Sequence, residues 1–288
     1  MLRQVFAFFA MTGALMLVCA LPVGAQNVAN PERNKPLEIT AEESLEWHRN
    51  DLFFQAKKDV VAKQGETILY CDELIAKYRD SKKTNIDIYS IEATGRVLIV
   101  SADSKVYGEK AIYNMDKGTA EMSGKDLRLI SDDQNVTAKD KFIYWVAQGR
   151  LEAIGDAVAI REGDRIEADT LIATFSESKN GKRMLETLEG IGGVVITMPE
   201  ETVTGRHAHY NAKTGIAQIK DKVKIMRGES FLEGEHAQVD MNTNISKIFG
   251  GKAGVAPASN VAQTQEVDET GKKRVRAVFF PKNMEAMQ

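Results

Sequence analysis

The sequence predicts an all-β protein built from repeated units of about 30 residues. Three observations carry this. Apolar and polar residues alternate with period two over long runs, as at Val158, Ile160, Ile166 and Ala168, which gives strands with one buried and one wet face. Glycine-containing turn signals separate the runs, among them Gln64-Gly65-Glu66, Asp116-Lys117-Gly118, Glu162-Gly163-Asp164 and Arg227-Gly228-Glu229. Beyond the N-terminal apolar stretch no segment holds a 3.6-residue apolar period, and the 6 prolines leave few strand interiors broken.

The clearest unit is Gly155 to Thr174, which reads as two strands joined at Glu162-Gly163-Asp164. Its phrase recurs along the chain. An aliphatic residue stands two positions before a small anchor, and the apolar pattern resumes three and five positions after it. The anchors are Ala41, Cys71, Gly108, Ala138, Ala168, Gly205 and Gly234, spaced by 30, 37, 30, 30, 37 and 29 residues. A step of three inside a period-two pattern marks a bulge, because one extra residue is needed to keep the same face inward. The pattern fails at Ser44/Glu46, which reads as a degenerate end cap, and at Lys141 of Lys141/Ile143.

The two long intervals hold polar inserts, Arg79 to Asn85 and Ser176 to Arg183. Anchors 41, 71 and 108 shifted by 97 fall on 138, 168 and 205. The chain therefore reads as a block used twice, a stacked array. The expected organisation is residues 1–25 as a signal peptide, 26–38 as a flexible lead-in, 39–135 and 136–249 as the two blocks, and 250–288 as a linker with a strand-like tail at Arg274 to Pro281.

The signal reading rests on Arg3, the apolar run from Val5 to Leu21 and the small residues Val23-Gly24-Ala25. An uncleaved anchor is the alternative, since the apolar run approaches spanning length. A lipoprotein reading at Cys19 is disfavoured by Val18 before it. Cleavage would leave Cys71 as the single cysteine and exclude an intrachain disulfide. Its place among small anchors predicts a buried structural thiol. Hydrophobic content of 43% and charged content of 27% are those of a globular protein, and the net charge of −3 with no clustered basic face argues against a nucleic-acid partner.

No catalytic constellation emerges, so a non-enzymatic protein with no catalytic residues, no metal and no cofactor is expected. HExxH, GxSxG and P-loop patterns are missing from the sequence. Gly190-Ile191-Gly192-Gly193 is followed by no helix pattern and reads as a strand-to-strand turn. His207, His209 and His236 fall on the outward side of the alternation. What remains is an inward apolar stripe that includes Leu69, Leu74, Ile99, Tyr113, Leu129, Val158, Ile160, Ile166, Leu171, Ile196, Tyr210 and Ile225. This stripe is either a closed dry core or the lining of a groove for apolar chains. Periodicity does not decide between the two.

The exported start, the recurring anchors, the A-x-Y-N strand ends at Ala111 to Asn114 and Ala208 to Asn211 and the G-x-V-x-I turns together resemble the OstA-like family of lipopolysaccharide-transport proteins. The likeness covers most of Ile39 to Gly250, and the repeated register carries it. It implies an elongated, V-shaped antiparallel β-jellyroll in the periplasm, whose groove binds the acyl chains of lipid A. It also implies partners at edge strands: inner-membrane-anchored and outer-membrane transport components, and a head-to-tail homo-oligomer. The doubled block and the extension after residue 250 depart from a minimal member. A secreted β-helix that binds or processes carbohydrate, a membrane-anchored component of the same transport system and a dry-cored structural scaffold are the competing readings.

Overall fold

The computed structural model describes residues 35–81, 85–131, 134–177, 183–243, 245–250 and 275–279. The expected signal peptide lies outside them, as do most of the lead-in and of the 250–288 segment. The described residues form two compact units, 35–155 with 174–176, and 156–173 with 177 onward. Both are antiparallel β-structure.

In the first unit, β1 (Leu37–Thr40) and β2 (Ser44–His48) both pair with β3 (Phe53–Gln64), each along a different half. Next come β4 (Thr67–Ser81), β5 (Asn85–Val100) and β6 (Lys105–Asn114), each paired with the strand before it. The free side of β6 is shared by β7 (Thr119–Ser123) and β8 (Arg128–Ser131). The next strands are β9 (Gln134–Thr137), β10 (Lys141–Trp145) and the start of β11 (Arg150–Arg161). A single 3-10 turn, Val146–Gln148, links the last two.

The second unit continues with β12 (Asp164–Glu177), β13 (Arg183–Thr197), β14 (Thr202–Asn211), β15 (Ile216–Arg227) and β16 (Ser230–Asp240). Here too the last long strand is shared. Residues His236 to Asp240 of β16 pair with β17 (Ile245–Phe249), and Phe231 to Glu233 pair with β18 (Arg276–Val278). The strand-like run at Arg274 to Pro281 thus contributes a short edge strand.

The long strand pairs share an interruption near their middle, and β4 with β5 carries a second between Lys77 and Tyr78. The register shifts between Lys57 and Val60, between Tyr70 and Glu73, and between Thr94 and Val97 in the first unit. In the second it shifts between Ile191 and Val194, between Thr204 and His207, and between Lys220 and Val223. Alternate strands enter the left-handed region for two residues at this point: Lys58 and Asp59, Gly95 and Arg96, Gly155 and Asp156, Gly192 and Gly193, Asp221 and Lys222. The extra residues bend the strand and return its apolar residues to the same side.

The pairing of Ile91 with Tyr113, Ala93 with Ala111, Val97 with Gly108 and Ile99 with Val106 has counterparts 97 residues on. These are Leu188 with Tyr210, Gly190 with Ala208, Val194 with Gly205 and Ile196 with Val203. The two polar inserts lengthen hairpins: β4 and β5 run to 15 and 16 residues, β12 and β13 to 14 and 15. Arg79 clamps the first of these hairpins, donating from Nε to Asp87 at 2.7 Å and from its terminal nitrogens to Asp116 at 2.8 and 3.0 Å.

One contrast isolates the steric demand of the bend. Gly192 (φ +77°) and Gly193 (φ +52°) are both left-handed, but a Cβ on Gly192 would overlap the Asp169 carboxylate, whereas one on Gly193 would stand 3.9 Å from it. We expect Gly192→Ala to destabilise by about 1–3 kcal/mol and Gly193→Ala by under about 1 kcal/mol in urea unfolding. Equal midpoints for the two variants would refute this account of the bend.

Candidate functional site

The inward side chains form ladders across the strands. In the first unit one ladder runs Ala56, Leu74, Ala93, Ala111, Met122, Phe142, Ala153, each residue opposite the next. All seven are buried. On the other side of the bend a second ladder runs Ala62, Leu69, Ile99, Val106, Leu129, Val136. Its end residues Ala62 and Val136 are buried, while Leu69, Ile99, Val106 and Leu129 stay half-exposed. Four adjacent aliphatic side chains therefore share one face that the described residues cover only in part. In the second unit the matching ladder is Ile196, Val203, Ile225, Leu232, and only Leu232 is half-exposed.

Of the twelve residues expected to line the stripe, Leu74, Ile166, Leu171, Ile196, Tyr210 and Ile225 are buried, and Leu69, Ile99, Tyr113 and Leu129 are half-buried. Val158 and Ile160 need correction. Ala157 (0% exposed) and Ala159 (4%) take the inward positions of β11, and Ile160 is 37% exposed on the opposite side. The left-handed pair Gly155 and Asp156 lies between the inward Ala153 and Ala157, so the buried face resumes one residue before Val158. Phe142 likewise takes the inward place expected of Ile143, which accounts for the failure of the pattern at Lys141. Lys141 pairs outside with Glu121 at 3.3 Å.

Two features were missed by reading the pattern alone. At the edge strand β2, Leu45 and Trp47 stand opposite the inward Ala56 and Phe54, yet are 56% and 47% exposed. Trp47 Nε1 donates to the Tyr78 hydroxyl at 2.8 Å, its ring stacks on Phe54 at 5.3 Å, and Arg49 lies over it at 4.2 Å. The alternation Leu45, Trp47 was the signal for this aromatic end, but it lies one residue out of phase with the three-residue step after Ala41 and read as degeneracy. The second is Asp164, expected in a turn. It opens β12 and is the buried acid beside Ile166.

The histidines do not assemble. His207 Nδ1 lies 3.0 Å from Asp221, and His209 Nδ1 lies 3.3 Å from Glu189. His236 is not the outward residue expected. It is half-buried and stacks on Phe249 at 4.6 Å, its Nδ1 has no partner, and burial holds its pKa below the usual value. Among the described residues no three His, Cys, Asp or Glu side chains are grouped to hold a metal ion. No described helix is long and apolar enough to cross a membrane.

A family model described as LptA/(LptD N-terminal domain) LPS transport protein matches residues 38–150 and 140–245. Among solved structures, LptH, the LptA homologous periplasmic component of the conserved lipopolysaccharide transport device from Pseudomonas aeruginosa, aligns at 20% identity with a TM-score of 0.37, over 51% of this chain and 95% of that one. No curated protein matches the chain.

Cys71 is buried at the bend opposite Val60, and desolvation, aided by the charges of Asp72 and Glu73, pushes its thiol up to about 12. Thiolate is then negligible at pH 8. Cys71 is therefore expected to resist a maleimide in the folded protein and to label promptly in denaturant. Rapid labelling of the folded chain at pH 8 would contradict this.

Proposed function

Because the chain belongs to the LptA/LptD N-terminal-domain family of LPS transport proteins, we propose that its inward aliphatic ladders shield the acyl chains of lipid A in the periplasm as lipopolysaccharide moves from the inner to the outer membrane. The observation that carries this reading is the half-exposed ladder Leu69, Ile99, Val106, Leu129. A dry core would gain by closing over four such side chains. Exposing an acyl chain costs roughly 0.8 kcal/mol per methylene, so a lipid crossing water needs an apolar wall of this kind. The wall offers similar aliphatic contacts from strand to strand and no deep well. The role is non-enzymatic, and the sugars of the headgroup stay on the wet side.

Partners bind at the edges. β1 and β2 in the first unit, and β17 and β18 in the second, are the strands with a neighbour on one side among the described residues. Such edges invite strand addition by another chain. The transport components of the two membranes and a second copy of this chain are the proposed occupants. Export by residues 1–25 would deliver the protein to that compartment.

A photo-crosslinking residue at Ile99 or at Leu129 should yield adducts with lipopolysaccharide in cells, while one at the outward Ile160 should not. Adducts at Ile160 alone, or at none of the three, would sink the proposal. At the edge, Leu45→Lys should abolish association of the chain with its second copy or membrane-anchored partner, read as mass by light scattering. An unchanged mass distribution would remove β2 from the interface.

A further inference from the structure

Beyond the bend, the outer face of the first unit is not a wet face. Val61, Tyr70, Leu98, Tyr107 and Arg128 stand opposite one another there, on β3, β4, β5, β6 and β8. Thr40 on β1 and Thr137 on β9 end the row. A parallel row two residues along brings together Lys63, Ile68, Val100, Lys105 and Ile130. All these side chains are half-exposed or exposed, Tyr70 at 39% and Ile130 at 38%. The ladder Leu69, Ile99, Val106, Leu129 occupies the other face of the same strands, so this part of the sheet is apolar on both sides. Sheets of that kind are ordinarily covered on both faces.

The fold itself does not require the apolar outer rows. Shifted by 97, Ile68 and Tyr70 fall on Arg165 and Glu167, which pair with each other at 2.6 Å. Tyr107 falls on Thr204, and the next strands of that row carry Lys224 and Glu233, paired at 3.4 Å. With the same bend and register, the outer rows are ion-paired in one unit and apolar in the other. An exposed apolar patch that the fold does not need marks an interaction surface.

The order of the row indicates its occupant. From β1 to β9 it reads Thr, Val, Tyr, Leu, Tyr, Arg, Thr, nearly the same in either direction, with Leu98 at its centre. We propose that this face joins a second copy of the chain about a two-fold axis running along β5. Such a contact is self-complementary, residue i meeting j and j meeting i. Leu98 and Val100 then meet their own counterparts at the axis, Tyr70 lies over Tyr107 of the second copy, and Val61 lies over its Arg128. Arg128 already sits over the Tyr107 ring at 4.3 Å, so its guanidinium is placed beside Tyr70 of the facing copy. In the parallel row the stems of Lys63 and Lys105 cover Ile130 and Ile68 of the second copy while their charges reach water. Glu38, the acid on β1 opposite Lys63, comes over β9 of the second copy, beside its Arg128, so the two ends are opposite in sign. The contact is lateral, sheet face on sheet face, and separate from strand addition at the edges. It does not depend on the lipid-shielding reading.

The footprint is at the small end of specific interfaces, so the pair should form in a concentration-dependent way. In sedimentation at about 100 μM, a Leu45→Lys chain, blocked at the edge, should still reach the mass of two copies and no more. Adding Ile68→Arg and Tyr70→Glu, which copy the ion pair of the second unit, should return it to one copy without lowering its melting temperature. A Leu98→Cys chain should be joined to its own copy by a bis-maleimide spanning about 10 Å, the separation of packed sheets, because residues at the axis meet their counterparts. Ile160→Cys should not be joined, and the buried Cys71 is too weakly ionised to contribute. A two-copy mass that survives the double substitution would overturn the proposal, as would linking at Leu98→Cys no better than at Ile160→Cys. A double variant melting several degrees lower would also overturn it, by making the rows part of the fold. A chain that stays single yet floats with anionic phosphatidylglycerol vesicles would assign this face to a membrane instead of a second copy.

Discussion

The structure depends on one backbone constraint: each long strand must bend without turning its apolar side outward. The bends solve this with two alternating counts. On β3, β5, β11, β13 and β15 the inward residues step by four across the bend, as from Ala56 to Val60, Ala93 to Val97, Ala153 to Ala157, Gly190 to Val194 and Ile219 to Val223. On β4, β6, β12, β14 and β16 they step by three, as from Cys71 to Leu74, Gly108 to Ala111, Ala168 to Leu171, Gly205 to Ala208 and Gly234 to Ala237. A strand with four therefore faces a strand with three, one residue more on one side of each pair, which is a β-bulge repeated from strand to strand. Two successive left-handed residues are the cost of the longer step. They are met by glycine at some bends and by exposed Lys, Asp or Arg at others.

The same constraint explains why the anchors are small. On the three-step strands the anchor sits at the inside of the bend, where the neighbouring strand's large side chain leans over it. A Cβ at Gly108 would meet Met122 Sδ at 2.7 Å, one at Gly205 would meet Ile219 Cγ2 at 2.5 Å, and one at Gly234 would overlap Ile248. Small and large residues thus alternate across strand pairs at the bend, and the inner wall is filled from both sides. Cys71 is the bulkiest of these anchors and is correspondingly buried.

Much of this was legible in the residues. Anchors, the step of three and the antiparallel all-β character follow from a pattern with strong apolar contrast. The step of four was not legible, because it preserves parity and leaves no break in the alternation to notice. Its effect is clearest on β11, where Val158 and Ile160 are larger than Ala157 and Ala159 and so look like the inward set, although the alanines are. The lesson is physical: near a bend the inward positions are crowded, so side-chain size is a poor guide to which face is buried. Asp164 was misread for a related reason. Glu162, Gly163 and Asp164 are all turn formers, but Glu162 and Gly163 alone take the left-handed conformations that close the hairpin. Asp164 is then the first strand residue and falls on the inward side. The partner-facing edges were obscured differently. The last repeat unit, after Gly234, is not the edge: its Val239 is paired on both sides, and the edge passes to β17 and β18.

On the proposed reading, the bend also decides where polarity can enter the wall. At the bend itself the backbone is crowded and the outward extra residues are charged, as at Asp59, Asp72 and Arg96, where Arg96 ties the two acids together. Near the hairpin end of β5 and β6, Ser101 and Ser104 satisfy each other at 2.7 Å, so polar groups there close on themselves and leave the aliphatic wall undisturbed.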